Sequence, residues 1–282
     1  MQQRKCPART SLSGHLPHLP VTQKGKEAKT MTELVIQGIG GRMGHVLCDM
    51  IAQRDDCKVV AGIDLHAGEQ NGIPVFASPE SLAGRGDVII DFSSPAAVEK
   101  ILPYCEAHKT PIVLCTTGMS DELNLKIVQL SRSVPVFKSA NMSLGINLLI
   151  ELCKRASAIL GGAYDVEIVE QHHHNKVDAP SGTALMLADA VNEQAGGAYH
   201  YVYDRASVRE KRDPMEIGIS SVRGGSIVGD HEVLFCGPDE VVTLKHTAYS
   251  RSVFANGAIN AALYLAKKEP GLYNMSDLIA ER

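Results

Sequence analysis

The sequence predicts an α/β protein whose first part is a parallel sheet and whose second part is α+β on a mixed sheet. Three observations predict it: a strand that runs through a glycine turn into a helix over 33–52, further strands and a helix in alternation up to residue 115, and strands joined by short connections after residue 143.

Residues 33–37, Glu-Leu-Val-Ile-Gln, form the first strand, and its unbroken apolar centre suits burial on both faces. It runs into Gly38-Ile39-Gly40-Gly41-Arg42-Met43-Gly44 and a helix over 45–52. Gly38 permits the tight turn, Gly40 or Gly41 lets a pyrophosphate approach the backbone, and Gly44 lets the helix lie close to the strand. That is half of a dinucleotide site, with the last glycine one residue later than in the usual Gly-x-Gly-x-x-Gly spacing. A second strand, 58–63, ends in Asp64, where an acidic side chain meets the hydroxyls of an adenosine ribose. Residues 87–92 form a third strand, a helix follows over 95–108, and a fourth strand at 111–115 runs into Thr116-Thr117-Gly118. The sheet is therefore Rossmann-like, and its ligand belongs beyond the carboxyl ends of the strands, where these turns gather.

After Ser143 come an apolar helix over 144–160, a strand over 164–170, a helix over 182–192, and strands near 216–222, 229–236 and 240–247. Their hairpin-like connections imply a mixed sheet. The segment between the first strand and the second helix reads Glu170-Gln171-His172-His173-His174-Asn175-Lys176 and then Pro180-Ser181-Gly182-Thr183. Imidazoles change charge near neutral pH, Lys176 is a fixed cation, and the free amides of a helix start hold carboxylate or phosphate. The segment suits a small anion. Consecutive histidines on an extended chain cannot all face one ion and the usual ligand spacings are missing, so no metal is expected.

Composition narrows the class. With 282 residues, 44% of them hydrophobic, the chain can fill two modest domains, and its net charge of -4 gives no general affinity for nucleic acid or an anionic membrane. No apolar run approaches the roughly 18 residues that span a bilayer, so a soluble protein is expected. The 7 cysteines are odd in number and scattered, which fits a reducing cytoplasm.

Gly-x-Gly-Gly-Arg-Met-Gly at 38–44, Thr116-Thr117-Gly118, Ser139-Ala140-Asn141-Met142-Ser143, the segment 170–184, Val222-Arg223-Gly224-Gly225-Ser226-Ile227-Val228-Gly229-Asp230-His231 and Phe254-Ala255-Asn256-Gly257-Ala258 stand in an order that resembles the dihydrodipicolinate reductase family, now called 4-hydroxy-tetrahydrodipicolinate reductase. The resemblance runs from Thr32 to the C-terminus. It implies NAD(P)H-dependent reduction of 4-hydroxy-tetrahydrodipicolinate in lysine and diaminopimelate biosynthesis, by a homotetramer. It also implies a dinucleotide-binding domain at 31–143, a substrate-binding and oligomerisation domain at 144–252 whose sheet builds the tetramer, and C-terminal helices at 253–282 that return to the first domain.

For the site, the resemblance places Gly38, Ile39, Gly40, Gly41, Arg42, Met43, Asp64, Cys115, Thr116, Thr117, Ser139, Ala140, Asn141 and Met142 on the cofactor. It places one substrate carboxylate on Ser181, Gly182 and Thr183, with His173 and Lys176 completing the pocket. Hydride transfer to a conjugated carbon-nitrogen system leaves electron density that a proton must meet. His172 is the candidate donor, since its ordinary pKa suits a general acid, and Lys176 is the rival. His174 and Asn175 depart from the family's more usual Arg and His; His174 is read as solvent-facing, and Arg223 and His231 as solvated strand positions. Asp64 is followed by Leu65 rather than by an Arg that would face a 2′-phosphate, so NADH is expected to be preferred or well used, with NADPH possible. Two alternatives remain open: a dinucleotide-sensing regulator without catalysis, and a reductase of another imine or keto acid.

Residues 1–30 carry frequent Pro and Ser, no hydrophobic periodicity and no acidic residue before Glu27, and read as a disordered extension. They lack the apolar core of a secretory signal, and their Arg content is low for a transit peptide. Lys26-Glu27-Ala28 can be encoded by a purine-rich tract like a bacterial ribosome-binding site just before the Met31 codon, which leads to the hypothesis that the native chain begins at Met31. Mass spectrometry of the protein from its own cell should find that N-terminus; one upstream of Met31 overturns the hypothesis.

Overall fold

The computed structural model describes residues 31–281, and the extension expected over 1–30 lies outside the described residues. The first strand, β1 (Thr32–Gln37), leads through the glycine turn into α1 (Arg42–Ile51). The helix begins at Arg42 rather than at the expected residue 45, so Arg42, Met43 and Gly44 form its first turn. Gly44 makes that early start possible: a Cβ there would sit 2.2 Å from the carbonyl oxygen of Ile39. Then follow β2 (Cys57–Ile63), a small antiparallel pair, β3 (Gly68–Gln70) and β4 (Ile73–Phe76), and β5 (Val88–Asp91). The helix α2 (Pro95–His108) starts at Ser94, whose hydroxyl accepts from the Ala97 amide, and leads to β6 (Ile112–Leu114). Next, α3 (Asp121–Leu130) is capped by Ser120 and β7 (Pro135–Lys138) closes this series.

The second half opens with α4 (Leu144–Leu160), capped by Ser143, and β8 (Asp165–His172). There follow α5 (Gly182–Gln194), β9 (His200–Tyr203), β10 (Glu216–Arg223), β11 (Gly229–Cys236) and β12 (Val241–Ala248). The chain ends with α6 (Ser252–Leu265), β13 (Gly271–Tyr273) and α7 (Met275–Ala280). No helix among the described residues is long and apolar enough to cross a membrane.

The first sheet has the order β13-β7-β6-β5-β1-β2-β4-β3 and is parallel except for the β3–β4 pair. Its strands read as unbroken apolar runs because both faces are covered. Leu34 and Ile36 join Val88, Ile90 and Val113 in a core with α1 and α6, while Val35, Ile89 and Ile112 join Val98 and Ile101 of α2 and Ile127 of α3 on the opposite face. The strand order reverses at β1, between β5 and β2, so the glycine turn lies at the crevice where such sheets take their ligand.

The second sheet has the order β12-β11-β8-β10-β9. It is mixed, as expected, but the expected hairpin-like connections hold only for β11–β12: β10 runs parallel to both β8 and β9. Strands that run parallel in one sheet need crossovers, and α5 supplies the one from β8 to β9, with β10 inserted between them. One face of the sheet packs on α4 and α5. The two-residue pleat of β8 buries Val166, Ile168, Glu170 and His172 alternately with more exposed neighbours, so an apolar face turns polar at its carboxyl end.

Candidate active site

At the carboxyl ends of β1, β2 and β5 a cavity of about 770 Å³ is lined by Gly38, Ile39, Gly40, Gly41 and Asp64 among others. Gly38 has φ +81, and a Cβ there would lie 2.6 Å from the Phe92 carbonyl, so only glycine fits this turn. Asp64 braces the turn: its carboxylate accepts from the amides of Gly40 at 2.8 Å and Leu65 at 2.7 Å. A cradle without side chains, beside a helix start and an acidic group, fits a dinucleotide pyrophosphate and its adenosine ribose.

Behind the cradle lies Asp91, fully buried at the end of β5. Thr116 donates to it at 2.6 Å and Ser93 donates to its other oxygen, while Gln37 donates to Ser93 at 3.1 Å. Burial pushes the Asp91 carboxyl up, and the hydroxyl hydrogen bonds offset this only in part. Of the other expected cofactor residues, Arg42 is exposed and Cys115 is partly buried against the core. Met142 is 3% exposed and packs with α6, where a Cβ on Gly257 would overlap its carbonyl. Thr117 follows Thr116 in the turn after β6, and Ser139 and Ala140 line a smaller cavity beside Asn147 and Lys154. Asn141 bridges the two halves, donating to the Thr183 hydroxyl at 3.0 Å and accepting from the Ser143 amide at 2.8 Å.

The second cluster forms where β8, β10, β11 and the start of α5 meet, around Glu170, which has no exposed surface. Its Oε1 accepts from the Ser181 amide at 3.1 Å and Arg223 Nη2 at 2.7 Å, and its Oε2 faces His172 Nδ1 at 2.5 Å and accepts from Arg223 Nη1 at 2.8 Å. Burial pushes the Glu170 carboxyl up, but the bonds to His172 and Arg223 outweigh it and hold the group well below the usual carboxylate range. His231 lies opposite Glu170 in the β11–β8 register, with its ring 5.2 Å from that of His172. Its Nε2 pairs with the Ser181 hydroxyl at 3.0 Å, and that hydroxyl also accepts from the Ala184 amide to cap α5.

The structure thus corrects the sequence on two side chains. Arg223 and His231 are not solvated strand positions: Arg223 is Glu170's bidentate partner and His231 is 4% exposed. Neither role is legible without knowing that β10 and β11 flank β8. Ser181, expected to touch substrate, is 1% exposed with its amide on Glu170 and its hydroxyl in the cap. Next to it Gly182 is exposed and Thr183 half-buried, and their amides in the first turn have no helical acceptor. His173 is half-buried with its Nδ1 unpartnered among the described residues, and His174 is exposed as expected. Lys176 pairs with Asp178 at 2.9 Å, and the Asp178 main-chain oxygen accepts from Arg223 at 2.6 Å, so the lysine loop and Glu170 share one anchor. Glu170 itself carries the signal that could have been read: it continues the buried alternation of Val166 and Ile168.

Burial, and then the neighbouring charge of His172, lower the pKa of His231 to about 4, against 6.5 for a free imidazole. The unfolded chain therefore binds a proton there between pH 6.5 and 4 that the folded chain does not, and stability falls as pH drops through that window. The loss reaches up to about 3 kcal/mol near pH 4; below the ordinary Glu value of 4.5, proton uptake by Glu170 in the unfolded chain alone adds to it. Urea unfolding at pH 7 and pH 5 should show the decline, and His231→Gln should flatten it. An equal slope in the variant would show that His231 does not carry it.

Two family profiles together cover the described chain: Dihydrodipicolinate reductase, N-terminus, over residues 32–142, and Dihydrodipicolinate reductase, C-terminus, over residues 145–279. The chain is 46% identical over 249 residues to a 4-hydroxy-tetrahydrodipicolinate reductase of Caldanaerobacter subterraneus subsp. tengcongensis, covering 88% of this chain and 98% of the relative. It is 43% identical to that of Clostridium tetani, over 90% of this chain and 99% of the relative. Among solved structures, a dipicolinate-bound dihydrodipicolinate reductase from Paenisporosarcina sp. TG-14 superposes with a TM-score of 0.73 at 26% identity, covering 86% of this chain and 97% of that one. A myo-inositol dehydrogenase from Corynebacterium glutamicum, at 16% identity and a TM-score of 0.52 over 89% and 93% of the two chains, shares the fold alone. On its two halves, its glycine cradle and its relatives, the chain belongs to the dihydrodipicolinate reductase family, the nicotinamide-dependent 4-hydroxy-tetrahydrodipicolinate reductases of lysine and diaminopimelate biosynthesis.

Proposed function

We propose that this chain reduces its ring diacid with His172 as the proton donor, with the amides of Gly182 and Thr183 as the seat of one carboxylate, and with His173 and Lys176 closing the pocket. One observation carries the reading: the Ser181 amide and His172 share the Glu170 carboxylate, so an imidazole and a helix-start anion nest form one rigid unit. With His172 Nδ1 on Glu170, Nε2 is the nitrogen that can give up a proton. Each charge-assisted bond to a substrate carboxylate contributes about 1.5 to 3 kcal/mol. Lys176 is the rival donor, and its pairing with Asp178 favours a binding role. The relative from Paenisporosarcina is bound to dipicolinate, a planar ring flanked by two carboxylates, which suits such a nest.

Gly38, Ile39, Gly40, Gly41 and Asp64 would hold the nicotinamide cofactor, helped by Arg42, Met43, Cys115, Thr116, Thr117 and the 139–142 segment, and the cofactor supplies hydride when bound. Asp64 repels a 2′-phosphate and accepts from a ribose diol, which supports NADH as the preferred or a well-used donor, with NADPH possible. Residues 31–143 then serve the dinucleotide and 144–252 the substrate, and 253–282 complete the first core. The face of the second sheet turned away from α4 and α5 carries Val222 at 45% and Val241 at 55% exposure. A partner copy covering that face supports a homotetramer, and the family's biosynthetic role supports a cytoplasmic location.

A synthase-coupled assay following reduced-cofactor absorbance tests the reading. His172→Gln should lower kcat about a hundredfold with little loss of folding; wild-type kcat in that variant would move the donor role to Lys176. In the same assay NADH should serve with kcat/KM at least comparable to that for NADPH, and a tenfold advantage for NADPH would overturn the role given to Asp64.

A further inference from the structure

We propose that Glu170, clamped by Arg223, is a positioning residue for the reaction: it sets the tautomer of His172 and joins that imidazole to the anion nest. The proposal rests on the reading of His172 as proton donor.

A carboxylate offers about four lone-pair sites, and beside the Ser221 side chain Glu170 binds parts of the chain that the reaction needs in register. Arg223 takes one site on each oxygen, in the fork geometry that a guanidinium matches best. Two further contacts go to the proton donor, through His172 Nδ1, and to the start of α5, through the Ser181 amide. A carboxylate kept only to neutralise Arg223 would not need the other two. An ionised carboxylate cannot donate, so His172 Nδ1 must carry the hydrogen of that 2.5 Å contact, and Nε2 is left for the reactant. Space for this orientation is kept by Gly229 on β11, where a Cβ would lie 3.1 Å from His172 Nε2.

The same clamp reaches the lysine loop, since Arg223 Nη2 also donates to the main-chain oxygen of Asp178. It fixes the turn after β10 less directly, through the Gly224 amide on the His172 carbonyl at 2.9 Å. The charged and titratable groups around His172 are Glu170 on its own strand, Arg223 on β10, His231 on β11 with His246 of β12 behind it, and Lys176 on the loop.

Nitrogen-15 NMR of the full-length wild-type enzyme with labelled histidine reads the tautomer without any substitution. Neutral His172 should carry its hydrogen on Nδ1, and an Nε2–H tautomer overturns the proposal. In Glu170→Gln, kcat should fall about tenfold to a hundredfold while KM for the reduced cofactor stays unchanged. A folded Glu170→Gln enzyme with wild-type kcat overturns the proposal, and if that variant does not fold the wild-type tautomer still decides. His172→Gln in parallel separates the two ideas. Full activity there sinks the donor reading, whereas a slow His172→Gln beside a fast Glu170→Gln sinks only the positioning role.

Discussion

A charge with no exposed surface must be compensated where it stands, and in this molecule the Glu170 carboxylate is that constraint. Taking it out of water costs several kcal/mol, and breaking such a pair on one side costs about 3–5. Arg223 on β10 and the start of α5 are therefore held to β8 by necessity. The first half has its own buried carboxylate in Asp91, and the contrast is instructive. Asp91 faces hydroxyls, which cannot match the loss of solvent, and its affinity for a proton rises; Glu170 faces a guanidinium and an imidazole, and its affinity falls. One carboxylate organises the ends of β5 and β6 by neutral hydrogen bonds, while the other organises the ends of β8 and β10 and the start of α5 as a fixed anion.

The Rossmann-like series was legible because both-sided burial writes long apolar runs, as in Leu34-Val35-Ile36 and Val88-Ile89-Ile90, and because Gly38 and Gly44 stand where a Cβ would collide with backbone. The mixed second sheet was legible as a class. Its pairing was not, since the places of β10 and β11 beside β8 depend on contacts between residues far apart in the chain. Short strands such as β3, β4, β9 and β13 carry too few residues to show a period, and β13 exists only through its partner β7.

The same distinction runs through the site. His172, Lys176, Gly182 and Thr183 sit close together in sequence and could be read as a group. Glu170 was read only as the edge of that group, and Arg223 and His231 were set aside, because their meaning lies in register: Arg223 is opposite His172 and His231 opposite Glu170. Asn141 is a further case. It lies far from α5 in sequence, yet its bond to Thr183 joins the strip after β7 to the start of α5.

The last helix and strand have a consequence for how the protein is made. One face of the first sheet is covered by Ala255, Ala258, Ile259, Ala262 and Leu265 of α6, and β13 completes its edge beside β7. A ribosome that has released only the first 143 residues has therefore produced a sheet with Ile90, Val113 and Phe137 still open to water. The amino-terminal half cannot finish folding as it emerges, and must keep its apolar side safe from aggregation until the final residues arrive to seal it.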